Sequence, residues 1–331
     1  MTPLPFKPDR KLTDVLATSK FTLSAEVIPP RNGSEQNILL NQINLLIQAG
    51  AQFLAVTKGA GGSLRGGSLP IAQAIKENFN VPCIAHFTCR DLTPAEVENQ
   101  LMDHHYFGIR NILALRGDPP EGEPEWKARS DGGYNHAHEL ISQIVNLNNG
   151  KYIPRATGLP AGKQEATDFC IGAAVYPEFP DPVKRLEYFE KKIKAGAMFG
   201  ITDMLFDTEA YGRFLDSCEK GGLSIPVLPG TRLLRSKSHA MKMASRFRVK
   251  IPAEMLASLP ETHGPDGAAP PKDITKSVQD GDKIGVEIFL KQVERLRALG
   301  APGVHLFVIF DTIGAVTALK ALSSDFSGIN H

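Results

Sequence analysis

An eightfold alternation of short apolar run, turn and amphipathic stretch limits most strongly how this chain can fold. The runs lie at 23–28, 53–57, 83–88, 112–116, 169–175, 201–206, 225–228 and 304–310. Most are near-continuous hydrophobics, the pattern of parallel strands covered on both faces. Helical periodicity fills the spaces between them. Segments 35–49 and 181–195 carry apolar residues at three- and four-residue spacing and stop at Gly50 and Gly196, where glycine readily forms the left-handed end of a helix. Thr93-Pro94-Ala95-Glu96 opens 93–106 with an N-cap, a first-turn proline and a carboxylate able to close a capping box. Further helices are expected at 69–79, 138–147, 209–220, 238–247 and 312–322.

Eight such units fit a closed (β/α)8 barrel or an open doubly wound sheet. The count favours the barrel, and so does the placement of polar residues. Glu26, Thr57, His86, Asp118, Tyr176 and Asp203 fall at or near the C-terminal ends of strands. A barrel gathers these ends at one mouth, whereas an open sheet strings them in a row. The expectation is an α/β fold, a TIM barrel forming one domain over 1–331, with long loops near 119–135, 148–168 and 260–277. Unpatterned loops of that length in a compact domain are usually functional, lid-like or mobile.

Composition excludes several classes of function. The chain has 37 basic and 36 acidic residues, so it carries no electrostatic footprint for nucleic acid or an anionic membrane. No apolar run approaches the roughly 20 residues needed to span a bilayer. Pro3, Pro5, Pro8 and Asp9 stand where a signal peptide has its apolar core. Cys83, Cys89, Cys170 and Cys218 lack zinc-site spacing and read as buried free thiols in a cytoplasmic protein.

Two carboxylates stand out. Glu26, inside an apolar run, is either an ion-paired carboxylate or a general acid whose pKa is raised by partial burial until it can deliver a proton near neutrality. Asp118 ends Arg116-Gly117-Asp118. Either Arg116 pairs with Asp118, or Arg116 and the Gly117 backbone hold a cofactor while Asp118 faces the reacting ring. The glycine-rich stretch 59–67 lacks the lysine of a Walker loop and the third glycine of a dinucleotide fingerprint. It is a mobile loop or a set of anion-facing amides. His104 and His105 are adjacent on a helix and do not share a face. His86, in a strand leading to the mouth, is either packed or a ligand contact.

These segments resemble the methylenetetrahydrofolate reductase family from about Thr22 to Gly230, and more loosely to the C-terminus. The matching pieces are Glu26 with Pro29-Pro30-Arg31, Val56-Thr57-Lys58-Gly59-Ala60-Gly61-Gly62-Ser63, Ala85-His86-Phe87-Thr88-Cys89 and the run from Gly108 through Arg116-Gly117-Asp118-Pro119-Pro120. Tyr176-Pro177-Glu178, Lys192 with Ala195-Gly196-Ala197, Ile201-Thr202 and Pro229-Gly230 follow in the same order. The resemblance implies a (β/α)8 barrel that reduces 5,10-methylenetetrahydrofolate to 5-methyltetrahydrofolate through FAD, itself reduced by NADH or NADPH. It implies that Glu26 protonates the folate and that Asp118 stabilises the resulting iminium. Thr57, His86, Arg116, Gly117, Asp118, His136, Ala137, Tyr176 and Lys192 are implied flavin contacts. Glu26, Asp118, Asp203 and Lys237 are implied folate contacts.

The chain departs from the family's pattern at defined places. Asp203 replaces a glutamine expected to touch folate, and the region of a stacking phenylalanine reads Leu234-Arg235-Ser236-Lys237-Ser238. The last strand reads His305-Leu306-Phe307-Val308-Ile309-Phe310, and Arg185 and Tyr188 replace smaller polar residues beside the flavin's adenosine half. Two alternatives follow: direct hydride transfer from NAD(P)H without flavin, and a non-catalytic folate-binding homologue. The expected partner is a folate, with a homo-oligomer left open.

Overall fold

The computed structural model describes residues 6–30, 33–62, 66–119, 132–154, 164–261, 275–309 and 312–327. Of the three long loops expected, residues 120–131, 155–163 and 262–274 lie outside that set, as do Arg31, Ser63, Pro120 and Phe310.

Eight parallel strands close on themselves in chain order: β1 (Thr22–Val27), β2 (Phe53–Val56), β3 (Cys83–Thr88), β4 (Asn111–Leu115), β5 (Cys170–Val175), β6 (Phe199–Met204), β7 (Val227–Thr231) and β8 (Gly303–Phe307). The (β/α)8 barrel expected from the sequence is therefore the fold. The seam is the β1–β8 pair, running from Thr22 opposite Gly303 to Glu26 opposite Phe307. Closure satisfies the edge N–H and C=O groups that an open sheet would leave unpaired.

The helices between strands are α2 (Gln36–Gln48), α3 (Ser68–Phe79), α4 (Pro94–Tyr106), α5 (Ala137–Asn148), α6 (Pro182–Ala195), α7 (Thr208–Lys220), α8 (Lys237–Phe247) and α11 (Thr312–Ser327). The capping box of α4 forms as expected, with the Glu96 N–H donating to Thr93 Oγ1 and the Thr93 N–H to Glu96. Three helices go beyond those expected from periodicity: α1 (Leu12–Thr18), α9 (Ala253–Ser258) and α10 (Thr275–Ala298). The signal for α10 was present, since Phe289, Val293 and Leu296 form a buried stripe at four- and three-residue spacing.

Strand β7 also differs from expectation. Its run, expected over 225–228, continues through Pro229 and Gly230 to Thr231. Pro229 has no N–H to give the ladder. The partner strand absorbs the irregularity: register shifts between Ile201 and Met204 of β6, and the Gly230 N–H donates to Thr202 Oγ1 at 2.8 Å.

Helix α1 stoppers the end of the barrel opposite the mouth. Leu12 and Val15 pack with Phe53, Ile84, Leu113, Cys170, Phe199 and Leu228 in the barrel interior. Asn111, fully buried at the start of β4, holds the stopper. Its Oδ1 accepts from the Leu12 N–H at 2.7 Å, and its Nδ2 donates to Asp9 at 3.1 Å and to the Arg10 carbonyl at 3.0 Å. The four cysteines are free and buried. No helix among the described residues is long and apolar enough to cross a membrane.

Asn111→Ala leaves buried donors and acceptors without partners, which costs about 2–4 kcal/mol. A urea midpoint unchanged from wild type would show that α1 is held by its apolar contacts alone.

Candidate active site

Because the bottom of the barrel is filled, the open end is where the C-terminal ends of the strands meet. Glu26 stands there on β1, with Ala55 of β2 and Phe307 of β8 beside it in register. Two imidazoles converge on one of its oxygens. His86 Nε2 from β3 is 3.3 Å from Oε2, and His305 Nε2 from β8 is 3.5 Å from the same atom. Neither ring nitrogen has a hydrogen-bond partner of good geometry, so both contacts are ionic in reach and loose in alignment.

The electrostatics correct one expectation. Burial does push the Glu26 carboxyl up, as expected, but the charge of His86 and the contact with His305 outweigh it and bring the group down to about 2. Glu26 therefore rests as a carboxylate whenever its imidazole neighbours are charged. The sequence suggested burial because Glu26 sits in an apolar run; it could not show histidines arriving from β3 and β8.

Asp118 follows β4. Its Oδ2 accepts from the Gly61 N–H at 2.8 Å, and its backbone carbonyl accepts from Arg90 at 2.6 Å. The glycine-rich stretch after β2 thus turns an amide toward an anion, and the anion here is Asp118. Gly61 adopts φ +66°, which favours glycine. Gly117 has φ +98°, and a Cβ there would lie 2.8 Å from the Arg90 Cβ. Gly117 lets the β3 and β4 loops come this close, while at Gly61, where a Cβ would meet nothing within 4 Å, it is the backbone conformation that favours glycine.

A second group of charges lies across the mouth on the ends of β4, β5 and β6. Tyr176 keeps 45% of its surface exposed, and crowding by surrounding protein followed by the carboxylates of Asp203 and Asp118 pushes its phenol up to about 12. Lys192 of α6 reaches back to donate to the Ala174 carbonyl at 2.8 Å, with its ammonium 5.1 Å from the centre of the Tyr176 ring. Burial, then the nearby Arg116 charge, lowers it to about 8. Asp203 lies in the irregular part of β6 opposite Pro229, and bulges of this kind re-aim side chains. Burial, then Glu178, pushes its carboxyl up to about 7.

The remaining expected residues are more scattered. Thr57 is buried just past β2, its N–H donating to the Val27 carbonyl at 3.1 Å. His136 and Ala137 begin α5, where the His136 ring stacks at 5.3 Å on His138 and at 6.5 Å on Tyr188. Lys237 begins α8 and pairs with Glu261 at 2.5 Å, with no contact among the described residues joining it to the carboxylates. Sequence reasoning missed His305, Ser24 and Arg90 as members of the site. His305 and Ser24 were legible only as polar residues in apolar strands, a weak signal.

Fold and mouth together define a (β/α)8-barrel protein with a cluster of charged and ionisable side chains at the C-terminal ends of its strands. The family model for methylenetetrahydrofolate reductase matches residues 11–318, and the chain belongs to that family. A methylenetetrahydrofolate reductase (NADH) of Arabidopsis thaliana is 26% identical over 299 residues, covering 90% of this chain and 48% of the relative. The 5,10-methylenetetrahydrofolate reductase of Escherichia coli is 31% identical over 242 residues, covering 71% of this chain and 72% of the relative. The chain thus spans about half the length of its plant relatives. Among solved structures, a Clostridium thermocellum protein described as binding two copies of 5-methyl-5,6,7,8-tetrahydrofolic acid shares the fold, with TM-score 0.53 at 15% identity over 96% of this chain and 99% of that one.

The raised Asp203 pKa has a consequence for stability. Folded Asp203 holds its proton up to about pH 7, whereas an unfolded aspartate releases it near 3.8. Its contribution is complete below 3.8 and is lost as pH rises through 7. Asp203→Asn should therefore gain stability relative to wild type between pH 5 and pH 8, by about 1–2 kcal/mol after allowance for partial exposure. Parallel denaturation curves at the two pH values would contradict this reading.

Proposed function

We propose that this protein reduces 5,10-methylenetetrahydrofolate to 5-methyltetrahydrofolate, with a reduced nicotinamide nucleotide as electron source and FAD as carrier. The observation that carries the reading is Glu26, an intra-barrel carboxylate at the mouth with two imidazole nitrogens within 3.5 Å of one oxygen. Family membership supports the same reading.

The residues at the inner mouth fit a flavin. Tyr176 offers an open ring face, Arg116 and Lys192 place two cations within electrostatic reach of each other, and His86 Nε2 is a buried polar atom lacking a well-aligned partner. Thr57, Gly117, His136 and Ala137 would complete the contacts on the β2, β4 and α5 sides. Bound there, reduced flavin supplies hydride to the folate's one-carbon unit.

The chain's own residues supply the rest. Glu26 delivers a proton to the folate nitrogen whose bond to the one-carbon bridge must break, opening the ring to an iminium. Asp118, oriented by the Gly61 N–H, faces the positive charge that develops, and a fixed anion there lowers the barrier without reorganising. Asp203, able to hold a proton near neutrality, can donate a hydrogen bond where the family's glutamine amide would.

A second reading, hydride transfer from NAD(P)H without flavin, is favoured by one observation. Arg185 donates twice to the Phe179 carbonyl, and Tyr188 packs edge-on against Phe179 at 5.7 Å, so larger side chains occupy the positions where the family resemblance would put smaller polar residues beside a flavin's adenosine half. The absorbance of the purified protein separates the two: a colourless protein active without added FAD, with sequential kinetics, establishes the second.

Glu26→Gln is expected to lower folate reduction by about 10²–10⁴-fold while leaving cofactor binding nearly intact; near wild-type folate turnover would remove Glu26 as proton donor. Asp118→Asn should slow the folate half-reaction more than the reduction of cofactor. Equal slowing of both half-reactions would reduce Asp118 to a structural role.

A further inference from the structure

The lysine that follows β2 is held where a lysine is costly to keep. Lys58 reaches into the layer between the barrel and α4, with its ammonium 4.3 Å from the centre of the Phe87 ring and donating to Gln100 Oε1 at 2.8 Å. Phe87, on β3, is fully buried. Among the described residues no carboxylate pairs with Lys58, and burial lowers it to about 8. His104 of α4 meets the same ring edge-on at 5.5 Å, and its Nδ1 lies 2.7 Å from the Gln100 carbonyl. Burial above all, with a smaller push from the Lys58 charge, brings His104 down to about 4. Near neutrality the imidazole is neutral and the lysine is charged.

Three residues further on, the same segment reaches the mouth. The Gly62 N–H donates to the Gly59 carbonyl at 3.1 Å, closing a turn whose Gly61 N–H donates to Asp118 Oδ2 at 2.8 Å. Side-chain packing does not hold the apex of this turn, since a Cβ at Gly61 would meet nothing within 4 Å. Its position follows from what anchors the chain just before it. Thr57 is tied to β1 through the Val27 carbonyl, and Lys58 is tied to β3 and α4. On the far side, Arg90 already holds the Asp118 backbone carbonyl at 2.6 Å. The Gly61 bond therefore decides where the carboxylate points.

We propose that Lys58 is a positioning residue, whose seat on Phe87 and Gln100 fixes the turn that aims the Asp118 carboxylate through the Gly61 N–H. The consequence for folate rests on the reductase reading above; the anchor itself does not. A desolvated ammonium is attracted to a ring face through its charge. The neutral amine keeps the bond to Gln100 and loses the attraction to Phe87. Lys58 is charged below about pH 8 and neutral above it, so the anchor holds at pH 7 and weakens as pH rises through 8. The titratable groups on this side are His104 and, beyond it, Asp103, both of α4, while β3 presents the Phe87 ring.

The experiment uses the full chain labelled with nitrogen-15 glycine, and Gly61→Ala identifies the Gly61 amide among the 30 glycines. Asp118→Asn gives the position of that signal when the carboxylate is lost. In wild type the signal should move toward this position between pH 7 and pH 9. Lys58→Met should place it there at both pH values, and Lys58→Arg, which keeps its charge, should hold the pH 7 position throughout. A Gly61 signal unchanged by Lys58→Met overturns the proposal, whatever reaction the protein catalyses. Turnover of 5,10-methylenetetrahydrofolate by wild type is measured separately; its absence overturns the reductase reading, while the amide signal still judges the anchor. Given turnover, Lys58→Met should slow the folate half-reaction about three- to thirtyfold and leave cofactor reduction by NADH unchanged. Lys58→Arg should restore the rate and remove the decline through pH 8. Equal slowing of both half-reactions overturns the proposal. So does a decline through pH 8 that survives in Lys58→Arg, which assigns it to another group such as Lys192, also brought to about 8.

Discussion

Closure of the sheet at the β1–β8 seam is the constraint on which the site depends. Pairing from Thr22–Gly303 to Glu26–Phe307 joins the first strand to the last, and the Val308 N–H extends the ladder to the Glu26 carbonyl. Parallel strands with both edges paired leave no exposed ladder, and closure brings Ser24 and His305, 281 residues apart in sequence, to within a hydrogen bond. An open doubly wound sheet of the same eight strands would put β1 in the interior, away from β8, and leave Glu26 without that neighbour. The stopper helix adds to this: with α1 filling the lower end, access to the carboxylates is from the mouth.

The mouth divides into two arcs with opposite electrostatics. On the arc from β8 through β1 to β3, imidazoles pull Glu26 down to about 2 against the effect of burial. On the arc from β4 to β6, burial and the neighbouring Glu178 carboxylate push Asp203 up to about 7. Two acids at one end of the barrel are thus shifted in opposite directions, the arrangement that lets a site carry a fixed charge beside a group able to donate a hydrogen bond. The Gly61 amide, donated across to Asp118, ties the loops of the two arcs to one another. The close approach of Arg90 needs glycine at 117, and the left-handed backbone at 61 favours it there, which accounts for part of the glycine content of the segments that match the family.

Much of the fold was legible because it rests on local rules. Apolar runs became strands, the Thr93–Glu96 box formed, and Gly196 took its left-handed conformation at the end of α6. Where expectation and structure differ, a tertiary effect overrode a local one. The run expected to end at Leu228 continues through Pro229 and Gly230, since β6 can bulge opposite the missing N–H. Helix α1 is too short to hold itself and exists because Leu12 and Val15 have a barrel to fill. The α10 stripe of Phe289, Val293 and Leu296 was readable by the same rule as the others.

By itself, the sequence determined the eight repeating units, the helix ends and the polar residues carried to one end of the strands, because each follows from backbone geometry over a few residues. It also carried the motifs that place the chain in its family. The tertiary structure alone decided what those polar residues are chemically. A carboxyl's proton depends on charges within a few ångströms, and those facing Glu26 arrive on strands remote in sequence. From local sequence Glu26 was a salt bridge or an acid; with His86 and His305 in place it is an ionised partner to imidazole. Asp203, one residue different from the family's pattern, has its carboxyl pushed up to about 7 by its own burial and by Glu178, neither of which is legible from the residue itself.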